Sequence, residues 1–143
     1  MGAPILAMMA LTSVLVTAPA RGAPPARDHP ILGSWEITGK DGACSEMYRF
    51  RSDGTVHVSS RDEVAEIDYD ISPAPSAKGF YRWKQRISKD NGGKDCSGKV
   101  AKVGDTADWY VQFDPSRERM MVCKAESLRA CFGPLRKIRG SDT

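Results

Sequence analysis

The stretch from Glu63 to Ser88 constrains the fold most strongly, because two alternating segments within it agree on how they must pair. Ala65, Ile67, Tyr69 and Ile71 alternate with Glu66, Asp68 and Asp70, the period-two pattern of a strand with one wet face. Beyond Ser72-Pro73-Ala74-Pro75-Ser76-Ala77-Lys78-Gly79 the alternation resumes. Tyr81, Trp83 and Ile87 fall on one side, interrupted by Gln85, and Arg82, Lys84 and Arg86 fall on the other. Opposed residues of an antiparallel pair share a face. Setting Asp70 against Arg82 sets Asp68 against Lys84 and Glu66 against Arg86. The inner face then pairs Ile71 with Tyr81, Tyr69 with Trp83, Ile67 with Gln85 and Ala65 with Ile87. A slip by one residue would bury every charge. The basic stripe is therefore read as half of a self-neutralised, solvated face rather than as a surface for nucleic acid or anionic lipid. The net charge of +3 is too small to argue for a polyanionic partner, and no nucleic-acid partner is expected.

The ends of the chain bear on where it works. Residues 1–20 carry no charge, and the apolar run from Ile5 to Val16 has the length of a secretory h-region. Ala18-Pro19-Ala20 offers a small-x-small cleavage site, so a signal peptide cut near Ala20 is expected, although no Lys or Arg stands at the extreme N-terminus. The run is too short for a membrane span, and no Cys lies near the cut to carry a lipid anchor. Residues 21–30 have the composition of a flexible linker, residues 31–139 form one domain, and residues 140–143 read as a frayed tail. Four Cys behind a signal peptide indicate two disulfides and a periplasmic or secreted protein. There is no Cys-x-x-Cys pair, and His29 and His57 stand in unrelated contexts, so neither a metal nor another cofactor is expected.

The rest of the chain reads as more short strands. Ile31 to Thr38 puts Trp35 and Ile37 on one face. Ser45 to Arg51 turns Tyr48 and Phe50 inward. Ser52-Asp53-Gly54 leads into Thr55 to Ser60. A two-residue Asp-Gly turn would mix the faces, whereas a three-residue loop with Gly54 left-handed pairs Phe50 with Val56, Tyr48 with Val58 and Arg49 with His57. His57 is then an exposed sheet residue rather than a catalytic base. Asp90 to Gly98 is a loop, Asp108 to Asp114 turns Trp109, Val111 and Phe113 inward, and an Asp114–Arg119 pair brackets the next turn. Arg119 to Lys124 has three adjacent apolar residues and an ambiguous face, and Cys131 to Ile138 is the last strand. The fold class is thus all-β: an antiparallel up-and-down β-barrel of about eight strands.

Leu32-Gly33-Ser34-Trp35 resembles the opening Gly-x-Trp of the lipocalin/calycin superfamily. The pieces Cys44-Ser45-Glu46, Ser52-Asp53-Gly54-Thr55, Asp95-Cys96-Ser97-Gly98 and Cys131-Phe132-Gly133-Pro134 are similar to small secreted bacterial lipocalin-like proteins of no established activity. The resemblance spans about Leu32 to Ile138. It implies that Gly33 and Trp35 close one end of the barrel and that a basic residue of the last strand lies across the indole. Arg136 is the residue expected there. The chain is shorter than large lipocalins and shows no C-terminal helix.

Running the meander up and down brings Cys44, Cys96, Cys123 and Cys131 to the rim opposite Trp35. Neighbouring strands suggest Cys44–Cys131 with Cys96–Cys123. The alternative, Cys44–Cys96 with Cys123–Cys131, would draw the long loop across the mouth, and connectivity is not readable from sequence. Eight aromatics, Trp35, Tyr48, Phe50, Tyr69, Tyr81, Trp83, Trp109 and Phe113, fill much of so narrow a barrel. A small pocket toward the rim is expected to use Tyr69, Tyr81, Trp83, Gln85 and Trp109, with Glu46 nearby, whereas a large lipid cavity is not. Three functions compete. One is a carrier of a small apolar or amphipathic ligand entering at the disulfide-tied end. Another is a protein-interaction module, such as an inhibitor of a protease or cell-wall hydrolase, acting through rim-loop residues such as Asp95 and Ser97. An enzyme ranks last, because no base, nucleophile and metal set converges. The sequence is silent on oligomeric state.

Overall fold

The computed structural model describes residues 23–140. The expected signal peptide and residues 141–143 of the tail lie outside the described residues. Eight strands succeed one another: β1 (Gly33–Thr38), β2 (Ser45–Phe50), β3 (Thr55–Ser60), β4 (Glu63–Ile71), β5 (Tyr81–Asp90), β6 (Thr106–Phe113), β7 (Arg119–Cys123) and β8 (Cys131–Ile138). Each pairs antiparallel with its neighbours, and β1 meets β8, so the sheet closes into an up-and-down barrel. Closure leaves no open sheet edge. The inward aromatics form one cluster, with Trp35, Phe50, Tyr69 and Trp83 buried and Tyr48, Tyr81, Trp109 and Phe113 packed on them.

The turn between β2 and β3 is the three-residue loop that burial requires. Phe50 opposes Val56, Tyr48 opposes Val58 and Arg49 opposes His57, with Gly54 at φ 85°. The β4–β5 hairpin differs from the expected register by two residues. Ile71 opposes Trp83, Tyr69 opposes Gln85, Asp70 opposes Lys84 and Asp68 opposes Arg86. A shift of two preserves the faces and still sets acids against bases, so patterning could not choose between the registers. The connecting loop chooses: the Ser72 N–H donates to the Arg82 carbonyl, Ser76 N–H donates to the Phe80 carbonyl, and Phe80 is buried. Arg82 is thereby freed to pair with Asp108 of β6 at 3.1 Å.

A bulge between Glu66 and Ile67 then breaks the alternation. Beyond Ile87 the pairing becomes Glu66 with Lys89 and Ala65 with Asp90. A bulge inserts one residue and exchanges the faces of the residues beyond it, so Asp90 lies on the inner side with Ala65. A second bulge, opposite Met120 and Val122 in β8, has the same effect: Phe132 pairs with Val122, Leu135 with Met120 and Lys137 with Trp35.

That second bulge corrects the closure of the base. Lys137, not Arg136, lies over Trp35, with its ammonium 5.3 Å from the ring centroid. Arg136 points outward beside Glu36, 4.0 Å away. Strict alternation from Phe132 would have turned Arg136 inward; the extra residue gives that place to Lys137. Gly33, at φ +108°, lies against this lysine, because a Cβ there would stand 3.3 Å from Lys137 Cε. The Trp35 Nε1–H donates to the Ile31 carbonyl at 2.7 Å, and Phe113 packs on the indole with centroids 5.8 Å apart.

Part of the stretch with linker composition is anchored to this base. Pro25 and His29 are buried. His29 Nε2 lies 3.1 Å from the Ser72 carbonyl, its Nδ1 accepts from Ile31 N–H, and its ring meets Tyr81 edge-on. Burial holds the imidazole below its ordinary pKa, against the opposing influence of the Ser72 carbonyl and Asp28, consistent with a neutral ring that accepts at one nitrogen.

Candidate functional site

The four half-cystines gather at the end of the barrel away from Trp35, with the second of the two anticipated pairings. Cys44 is bonded to Cys96 and Cys123 to Cys131. The pairing between neighbouring strands β1 and β8 is not formed, because Cys123 and Cys131 already oppose each other across β7 and β8. Cys44 then takes Cys96 and draws the 91–105 loop onto the rim. The loop is held there by Cys96 N–H donating to Ser60 Oγ at 2.9 Å and Asp62 N–H donating to the Lys94 carbonyl at 3.1 Å.

Beneath this rim the barrel is hollow. A cavity of about 140 Å³ is lined by Tyr48, Val58, Glu63, Ala65, Ile67, Trp83, Gln85, Ile87, Trp109 and Phe132. Its walls are placed by the alternation of β2, β3, β4, β5 and β6 and by the bulged start of β8. Phe50 meets Trp83 edge-on at 5.0 Å and Tyr69 edge-on at 5.2 Å, which fills the barrel on the base side of Trp83. Trp109 and Phe132 form an edge-to-face pair at 5.5 Å. Both are only partly buried, as are Tyr48 and Gln85, so the hollow is in reach of solvent from the disulfide end. A space of this volume takes a molecule about the size of benzene, not a long acyl chain.

Of the residues expected to bind a ligand, the cavity brings together Trp83, Gln85 and Trp109. Tyr69 and Tyr81 are corrected. β4 runs from the rim to the base and β5 returns, so these tyrosines flank the base turn. The Tyr69 hydroxyl donates to the Arg51 carbonyl at 2.9 Å, and burial pushes its pKa up. Tyr81 packs against His29 and Phe113. The loop residues Asp95 and Ser97 are engaged with each other: Asp95 Oδ1 accepts from Ser97 N–H, Ser97 Oγ–H and Lys99 N–H.

Sequence reasoning missed Glu63, although the signal was present. Glu63 stands in phase with Ala65, Ile67, Tyr69 and Ile71, one step further toward the rim, so the same alternation turns it inward. Its residue is only 9% exposed. Burial foremost, then the charges of Asp90, Asp95 and Glu46, push its carboxyl up from 4.5 to about 7. Tyr48 donates its hydroxyl to Glu46 Oε2 at 2.7 Å, and burial, Glu46 and Glu63 raise its pKa well above the ordinary value. Two buried polar atoms have no protein partner among the described residues, Trp83 Nε1 and Asp90 Oδ2.

His57 lies on the outer face, as expected of a sheet residue. Its Nδ1 is 2.8 Å from Glu66 Oε1, and Arg51 reaches the other oxygen of that carboxylate at 3.3 Å. No protein-family model, curated protein or solved structure matches this chain.

Proposed function

We propose that this chain is a lipocalin-like barrel of the periplasm or extracellular space that binds a small amphipathic molecule in the lumen beneath its disulfide-tied rim. The observation that carries the reading is the asymmetry of the interior: Trp35 and Phe50 are buried in the packed core on the base side, and a cavity lies under the cysteines. Two disulfides fit an oxidising compartment and hold the entrance loops in place, which lowers the ordering cost of binding. The protein is a binder rather than a catalyst in this reading. The likeness of Gly33-Ser34-Trp35 to a lipocalin opening supports it, with Lys137 in the part first given to Arg136.

The test is a titration of the purified barrel with toluene, cyclohexanol and a long-chain fatty acid, monitored by Trp fluorescence. Trp83 and Trp109 line the lumen, so the small probes should change the emission and the fatty acid should not. Silence toward every small probe would remove the proposal. The rim loop supports a second reading, a rigid surface for a protein partner, because Asp95 and the Cys44–Cys96 bond fix its shape while Val100 and Val103 stay exposed. Alanine replacement of Val100 and Val103 that leaves every partner interaction unchanged would dispose of it.

A further inference from the structure

The lumen is apolar at its walls and acidic at its mouth. Glu63 lines the cavity from the start of β4, and Glu46 from β2, Asp90 from the end of β5 and Asp95 from the strapped loop act on its carboxyl. Asp90 is there because of the β5 bulge, and its Oδ2 is buried without a partner among the described residues. Lys99 interacts with Asp95, and no ion pair reaches Glu46, Glu63 or Asp90 among the described residues. This acidity is local, on a chain whose net charge is +3. The opposite polarity occurs deeper. Trp83 is 2% exposed, lines the same cavity, and has an indole N–H with no acceptor among the described residues. A buried donor left unsatisfied carries the full penalty of its lost hydration.

These features select a ligand. A carboxylate cluster at the mouth of a cavity lined by Trp83, Trp109 and Phe132 favours a cation, both by Coulomb attraction and through the ring quadrupoles. The orphan indole N–H asks for a hydrogen-bond acceptor at the other end of the same molecule. The volume admits about six or seven non-hydrogen atoms. We infer that the lumen binds a small organic monocation carrying a hydroxyl or carbonyl oxygen, its charged end beneath Glu63 and Asp90 and its oxygen on Trp83 Nε1. The inference rests on the proposed lumen-binding function and specifies its ligand class.

Choline and its uncharged isostere 3,3-dimethyl-1-butanol have one shape and one hydroxyl and differ in charge alone. The experiment is calorimetric titration of the disulfide-intact protein with each at about pH 8, alongside toluene. Choline should bind at least about tenfold tighter than the isostere. Glu63→Gln should abolish that preference, and lowering the pH to about 5.5 should weaken choline by about tenfold or more as a proton occupies Glu63. Choline itself does not titrate. Trp83→Phe, which keeps an aromatic ring but removes the N–H, should weaken choline and the isostere alike. Equal binding of the two, or binding of toluene with neither, overturns the cation inference and leaves the lumen as a binding site. A choline preference that survives Glu63→Gln overturns the role given to that carboxylate. Failure of all three probes overturns the lumen reading itself.

Discussion

Glu63→Gln is expected to stabilise the protein, and to do so only above acid pH. Glu63 is buried at the cavity mouth with Asp90, Asp95 and Glu46 around it, and its carboxyl is raised from 4.5 to about 7. Between those two values the folded chain holds a proton that the unfolded chain has released. Stability from this group is therefore fully present below about pH 4.5 and is lost as pH rises through about 7. The full shift corresponds to about 3 kcal/mol, and water entering the mouth lowers the realised value to about 1–3 kcal/mol. Glutamine has nearly the same shape and cannot ionise, so it avoids the loss. Urea unfolding of both proteins, disulfides intact, should give equal stability near pH 4.5 and a gap that opens to about 1–3 kcal/mol by pH 8. For a domain of this size that is roughly 4–12 °C in Tm. His29 works in the opposite sense: its pKa is depressed by burial, so its contribution is present above 6.5 and is lost as pH falls below it. Both proteins share it, and it cancels in the difference. A gap that stays constant from pH 4.5 to 8, or that favours the wild type at pH 8, would refute the burial of an acid at the mouth.

Lys137→Met should cost about 0.5–2 kcal/mol through loss of the ammonium over Trp35, whereas Arg136→Ala, at an exposed pair with Glu36, should change urea stability by less than about 0.5 kcal/mol. The disulfides should differ in weight. Cys44–Cys96 spans 52 residues and Cys123–Cys131 spans 8, so loop-closure entropy assigns about 4 kcal/mol to the first and about 2.5 kcal/mol to the second, checked by unfolding of paired Cys→Ala variants. Gly93→Ala should loosen the strapped loop severely, because a Cβ there would lie 2.0 Å from the Asp62 carbonyl oxygen; faster amide exchange at Asp62 and Cys96, whose N–H groups donate to the Lys94 carbonyl and Ser60 Oγ, is the readout. Normal exchange in that variant would show that the loop is not pressed on the β3–β4 turn.

The eight strands and most of their faces were legible because burial obeys a period of two, and a slip by one residue would bury Asp68, Asp70, Lys84 and Arg86; the face of β7, with three adjacent apolar residues, was not. The same rule is blind to shifts of two, which is why the β4–β5 register was set by Phe80 and Ser72 instead. Both bulges were also invisible, since an inserted residue leaves no mark on composition, and each one moved a functional group: Asp90 inward, and Lys137 into the place expected of Arg136. Trp83, Gln85 and Trp109 were found from alternation, and Glu63 lay one step along the same alternation. Tyr69 and Tyr81 were misplaced for a different reason. Their faces were right, but height along the barrel depends on strand direction, and that direction sets them beside the base.

The interior of the barrel is divided, packed around the indole of Trp35 and hollow under the sulfur-tied mouth. Diffraction from crystals soaked in bromobenzene probes this division, because bromine can be located by its anomalous signal. A bromine peak is expected among Trp83, Trp109 and Phe132, with none between Trp35 and Phe113. Bromine confined to the outer surface, or lodged at the base, would contradict it.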